Sequence, residues 1–126
     1  MKNVEEIILE TLPKDITEAI YLFGSYGTPY FDEATSDIDI GWYTSKELDW
    51  FEAMEYREIL EQKLGREVDL LLNEKDKFNL TYNILSGTPI GVLSANFCEW
   101  FDKFVDFAID EVKFIESFRR EREELV

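Results

Sequence analysis

Residues 18–43, EAIYLFGSYGTPYFDEATSDIDIGWY, decide how this chain folds. They open on an apolar, β-prone run, 18–23, which ends at Gly24 and reads as a buried strand. They close on 37–43, where polar and apolar residues alternate at a period of two, the pattern of a half-buried strand. Between the two, Gly27 and Pro29 punctuate residues 25–36, which predicts a short helical turn and a loop.

Working outward, residues 3–12 carry Val4, Ile7, Ile8 and Leu12 at helical spacing, and Pro13 stops that helix. Downstream, Ser45 stands as an N-cap before a long helix expected over about 46–64, with Gly65 as its C-terminal stop. Residues 67–72, EVDLLL, give another strand that ends at Asn73. A helix over roughly 77–86 stops at Gly87, and 89–93 reads as a short edge strand. The last stretch, about 95–124, places Phe97, Trp100, Phe101, Phe104, Ala108, Ile115 and Phe118 at spacings of three, four and seven, an amphipathic helix with an aromatic face. Phe107 and Phe114 widen that face. Strands joined through helices make an α/β domain.

The length, 126 residues, is the usual size of one domain, and we expect a single one over 1–126, with a core at about 18–92. A composition 45% hydrophobic and 15% aromatic is rich enough to bury a core. There are 28 Asp plus Glu against 13 Lys plus Arg, a net charge of −15. Such a field repels phosphate backbones and argues against direct nucleic-acid binding. It fits simple solubility and an acidic partner-binding face equally well. One cysteine, Cys98, excludes an internal disulfide framework; lying among aromatics, it is expected to be an inert core residue. No apolar run approaches the ~20 residues of a membrane span and no signal-peptide pattern opens the chain, so a cytoplasmic protein is expected. Histidine is absent, which excludes Ser-His-Asp and Cys-His catalysis and the usual zinc sites.

Asp37-Ile38-Asp39 is where chemistry enters. On a strand, side chains two apart share a face, so the two carboxylates sit side by side while Ile38 and Ile40 point into the core. Adjacent anions repel unless a cation bridges them, and magnesium suits such a pair, its remaining positions filled by water and substrate phosphates. Read alone, the tripeptide describes a solvated strand start at least as well. Two features add to it. Gly24-Ser25 closes the preceding strand: glycine lets a phosphate approach the backbone, and serine offers a hydroxyl and an amide. Asp69 is the polar position of an otherwise apolar strand. It is a satisfied edge carboxylate, or, if its strand neighbours 37–43, the third member of a carboxylate cluster.

The order strand, Gly24-Ser25, eleven residues, Asp37-x-Asp39, long helix, Val68-Asp69-Leu70 resembles the nucleotidyltransferase fold of the DNA polymerase β superfamily. Short length and the tail VDLLLNEKDKFNLTYNILSGTPI are similar to the minimal nucleotidyltransferases of the MntA type. The resemblance covers about residues 18–92. It implies a polymerase β-like fold: a small mixed sheet flanked by helices, with a long C-terminal helix. It implies that Gly24 and Ser25 hold a nucleoside triphosphate, that Asp37 and Asp39 bind two Mg2+ ions, and that Asp69, a further metal and catalytic carboxylate, helps activate the acceptor hydroxyl. ATP is then the substrate. This chain departs from the family in its loop: no basic residue lies between Ser25 and Lys46, and Lys46 and Arg66 are the nearest cations in sequence.

Proteins of that type act as antitoxins, transferring AMP from ATP to a tyrosine of a HEPN-domain ribonuclease toxin that they bind. The resemblance therefore implies a HEPN-type toxin as partner. Two alternatives stay open: transfer to a small molecule such as an aminoglycoside, and a catalytically inactive antitoxin that acts by contact. The aromatic face of the final helix, with Trp100, Phe104 and Phe107, suits a partner interface or a homo-oligomer, and packing on the sheet equally.

Overall fold

The computed structural model describes the backbone of residues 2–91 and 93–124, and the side chains of these as far as residue 113. Asn3 starts α1 (Val4–Thr11), its side chain accepting a hydrogen bond from the Glu6 amide; the chain turns extended at Leu12, ahead of Pro13. β1 (Thr17–Phe23) and β2 (Ile38–Thr44) then pair antiparallel, with Phe23 opposite Asp39. α2 (Trp50–Leu64) carries the chain back so that β3 (Val68–Leu72) lies parallel to β2, with Asp39 opposite Asp69. α3 (Phe78–Leu85) leads into the short β4 (Thr88–Ile90), which pairs antiparallel with the far side of β1. The result is a mixed sheet ordered β3-β2-β1-β4. A crossover helix is what a parallel β2–β3 pair requires, whereas β1 and β2 can be antiparallel because only a loop joins them.

The period-two pattern over 37–43 placed Ile38 and Ile40 in the core, and both are buried there. Ile20, Leu22, Ile38, Ile40, Trp42 and Val68 form one cluster with Ile8 of α1, Leu12 just after it, and Leu60 of α2. Trp42 is fully buried, donates its indole N–H to Thr17 Oγ1 at 2.9 Å and meets Tyr56 edge-on at 5.3 Å, so its polar atom is satisfied as burial demands. The opposite face is covered by α3, and Gly41 permits the approach: a Cβ there would strike the Ile84 side chain.

One expected boundary moves. Ser45 does not cap α2; its amide donates to Ile16 O at 2.8 Å and so continues the β1–β2 pairing. Asp49 takes the cap instead, accepting from the Glu52 amide at 2.8 Å, and Gly65 closes the helix in the left-handed conformation as expected.

β3 is an edge strand, and α2 closes that edge. Arg57 Nε donates to Val68 O at 2.9 Å, while the Val68 amide donates to Glu61 Oε2 at 3.2 Å. Both outward backbone groups of the residue before Asp69 are thereby bonded. Arg57→Ala should lower stability by about 1–2 kcal/mol, read as a lower urea midpoint with an unchanged slope. Arg57→Lys, which lacks the guanidinium geometry, should recover only part of it.

The chain divides into two compact units, Met1–Ser94 and Ala95–Val126. The second is one helix, α4 (Ala95–Glu124), the long C-terminal helix expected. Along it Phe97 meets Trp100 at 5.5 Å and Phe101 at 6.1 Å, and Trp100 meets Phe104 at 5.6 Å, the three- and four-residue contacts that its spacing predicted. Phe107 is exposed, as is Cys98, which corrects the expectation of a core thiol: Cys98 lies one residue past the aromatic stripe. Phe114, Ile115 and Phe118 lie outside the described side chains. Among the described residues no helix is long and apolar enough to cross a membrane.

Candidate active site

The C-terminal end of β1 and the start of β2 and β3 meet at one end of the sheet. Gly24 ends β1 with φ +69°, and a Cβ there would fall on the Asp39 carboxylate. That carboxylate therefore lies directly against the glycine backbone, a contact no other residue type allows. Ser25 follows, half-buried, its carbonyl accepting from the Thr28 amide at 3.0 Å.

The segment 25–36 is a chain of turns and contains no helix. Asp32 Oδ1 accepts from the Ala34 amide at 2.8 Å, and this backbone hydrogen bond is the main reason its carboxyl is held below the usual range. Tyr26 donates its hydroxyl to Glu5 Oε1 at 2.8 Å and its ring meets Phe31 edge-on at 5.2 Å. Burial, then the Glu5 bond and charge, push the Tyr26 phenol up to about 12. Arg66 sits 5.7 Å over the Phe31 ring, with Nη1 3.4 Å from Ser36 O. These contacts fasten the loop to α1 and to the entry of β3. They also engage Arg66 on the loop, while Lys46 follows Thr44 at the opposite end of β2 from Asp39.

Parallel pairing brings the three expected carboxylates together. Ile38 N donates to Glu67 O at 3.0 Å, and in this register Asp39 stands opposite Asp69. Asp37 lies two residues before Asp39, so all three share the face turned away from the α1–α2 core. Asp37 and Asp69 are exposed and Asp39 is half-buried. The Asp39 carboxyl is pushed above the usual range, first by burial, then by the charges of Asp69 and Asp37. Among the described residues none of the three is ion-paired with lysine or arginine. Among the described residues, then, no cation offsets this negative charge.

Among the described residues no group of three or more acidic, cysteine or histidine side chains forms a ready-made metal cage. An open, all-oxygen, uncompensated set with few protein ligands fits magnesium, which retains several waters and takes substrate phosphates as ligands. It does not fit a structural zinc site, which closes on nitrogen and sulfur.

A cleft of about 480 Å3 adjoins this cluster on the β1–β4 side. Gly24, Tyr26, Gly27, Asn83, Gly87 and Thr88 contribute to its wall, and among the described residues no charged side chain lines it. Asn83, Ser86 and Thr88 went unnoticed in the sequence. Asn83 is an exposed polar residue of an amphipathic helix, and only the antiparallel return of β4 onto β1 brings it beside Gly24.

Residues 5–91 match the family model described as polymerase beta, nucleotidyltransferase. No curated protein matches the sequence. Among solved structures, the chain is similar to one of a tri-AMPylated Shewanella oneidensis HEPN toxin in complex with MNT antitoxin, with a TM-score of 0.63, 23% identity, and coverage of 93% of this chain and 90% of that one. It is similar to a structure of the MntA–HepT toxin–antitoxin pair, with a TM-score of 0.58, 21% identity, and coverage of 97% and 92%. A toxin–antitoxin structure with AMP-PNP gives a TM-score of 0.57, 22% identity, and coverage of 95% and 90%.

Proposed function

We propose that this chain, which belongs to the polymerase beta nucleotidyltransferase family, transfers AMP from ATP to a tyrosine hydroxyl of a HEPN-type toxin and acts in the cytoplasm as its antitoxin. One observation carries the transfer reading: the Asp37–Asp39–Asp69 carboxylates, ion-paired with no lysine or arginine among the described residues, with Asp39 pressed on Gly24. The partner reading is supported by the structural likeness to antitoxins in complex with HEPN toxins, one of them AMPylated. An AMP-PNP complex among those likenesses supports ATP as donor.

Asp37 and Asp39, with Asp69, would hold two magnesium ions, which when bound offset charge on the attacking and leaving oxygens of an in-line displacement. The chain's own groups divide the remaining work. Gly24 lets the Asp39 carboxylate lie against the backbone, and the Ser25 amide and hydroxyl donate to a phosphate of the donor. Asp69, exposed on the β3 side, accepts the proton of the attacking phenol. The phenolic oxygen bonds to the α-phosphorus, the bond from that phosphorus to the bridging oxygen breaks, and pyrophosphate leaves. No step calls for an imidazole, which agrees with a chain that has no histidine.

The test is incubation with magnesium, α-labelled ATP and a HEPN-type toxin from the same source. Label is expected on a toxin tyrosine, with toxin ribonuclease activity lost, and both effects should vanish in Asp37→Asn. Toxin inhibition that survives Asp37→Asn without label would place the antitoxin effect in contact alone. Label on small alcohols and on no protein would move the acceptor to small molecules.

A further inference from the structure

We infer that this chain carries a second acceptor for its own chemistry: Tyr30 of one copy is adenylylated by the site of another. This rests on the nucleotidyl-transfer reading and adds to it a modification site that the toxin reaction does not use. The chain has six tyrosines. Tyr21 and Tyr43 are buried, Tyr26 is bonded to Glu5, and Tyr56 packs against Trp42. Tyr82, 45% exposed, lies beside Phe78 on α3. Tyr30 is 88% exposed, and its hydroxyl makes no hydrogen bond among the described residues.

The loop brings that phenol to the rim of the site. The Thr28 amide donates to Ser25 O at 3.0 Å, and the Phe31 amide to Thr28 O at 3.2 Å. Two β-turns therefore follow one another from Ser25, and since each spans less than about 7 Å between its end Cα atoms, Phe31 lies within about 14 Å of Ser25. Tyr30 stands at the corner of the second turn, directly after Pro29, whose ring fixes the first bend. Its amide donates to Thr28 Oγ1 at 3.3 Å. The aromatic residues around it are fastened, Tyr26 to Glu5 and Phe31 under the Arg66 guanidinium. So held, the Tyr30 side chain stands out in solvent, which favours attack at another copy over attack at its own site. The Tyr30 oxygen of one copy bonds to the α-phosphorus of ATP held by the other. The bond from that phosphorus to the bridging oxygen breaks, pyrophosphate leaves, and Asp69 of the second copy accepts the phenolic proton. Each copy carries a net charge of −15, so like charge opposes the encounter and salt eases it.

The experiment incubates the full chain alone with magnesium and saturating α-labelled ATP, and locates the label by peptide mass spectrometry. Wild type should take label on Tyr30, at an initial rate that grows with the square of protein concentration and with added salt. Tyr30→Phe, which keeps the ring and lacks the hydroxyl, should lose self-label to background while labelling the toxin at the wild-type rate. Asp37→Asn alone should take no label. Mixed with Tyr30→Phe, it should regain label on the Asp37→Asn chain, because one copy lends the tyrosine and the other the site. Self-label that survives Tyr30→Phe, or a mixture that stays unlabelled, overturns the assignment. So does a wild type that labels the toxin and not itself, and in that case the function proposed above stands. A wild type that labels neither sinks both readings together.

Discussion

Asp39→Asn is expected to lower nucleotidyl transfer on the order of 10³-fold while making the magnesium-free protein more stable. The two effects have one cause. Asp39 is half-buried beside Asp69 and Asp37, and burial, then those two charges, push its carboxyl up. A carboxyl whose pKa is higher folded than unfolded opposes folding when charged. The cost is absent at a pH where both states are protonated, grows as pH rises through the two pKa values, and is fully present at neutral pH. Asparagine removes the charge and keeps the shape. After allowance for solvent screening at a half-exposed site, we expect Tm at neutral pH to rise by roughly 2–4 °C. The gap between variant and wild type should close as pH falls into the carboxylate range. Magnesium should raise the Tm of the wild type and leave the variant nearly unmoved. Thermal melts at neutral and acid pH, with and without the ion, measure all three; a variant less stable than wild type at neutral pH would refute the argument.

Gly24→Ala should damage transfer far more than the size of one methyl group suggests. The left-handed backbone at φ +69° costs a non-glycine residue about 1–2 kcal/mol, and the new methyl falls where the Asp39 carboxylate now sits. Relief requires Asp39 to move, and displacement of a reacting group by about an ångström costs on the order of 10²-fold in rate. Gly65 supplies the control. It has nearly the same φ, +67°, at the C-cap of α2, with nothing within 4 Å of a Cβ. Gly65→Ala should therefore lose comparable stability in urea unfolding with kcat unchanged. Equal loss of kcat in both variants would show that Gly24 acts through general stability rather than through Asp39.

Much of this architecture could be read in advance because its signals are local. Pro13, Gly24, Gly65 and Gly87 end elements by backbone geometry, and the alternation over 37–43 placed Ile38 and Ile40 in the core. The Asp37–Asp39 pair sits on one face by the same local rule. That Asp69 stands opposite Asp39 was a conditional expectation, since parallel strands are brought together by a crossover whose end point no short stretch encodes. The cap of α2 was misread because Ser45 and Asp49 are both good caps. The choice fell to a partner 29 residues away in sequence, Ile16, whose carbonyl engages Ser45. Cys98 was misread because neighbours in sequence stood in for neighbours in space: one step along a helix turns a side chain by ~100°. The Asn83 cleft had no local signal at all, being assembled from two turns that meet only when β4 returns to β1.

The sealing of β3 by Arg57 and Glu61 bears on how this protein can meet another. An open sheet edge is a template on which a foreign strand can grow, and such edges lead to clumping when they are long and bare. Here the β3 border offers α2 side chains at Val68 in place of free backbone. The β4 border is three residues long and contains Pro89, which has no amide hydrogen to lend. At these two positions, Val68 and Pro89, neither flank offers a free backbone donor to an added strand.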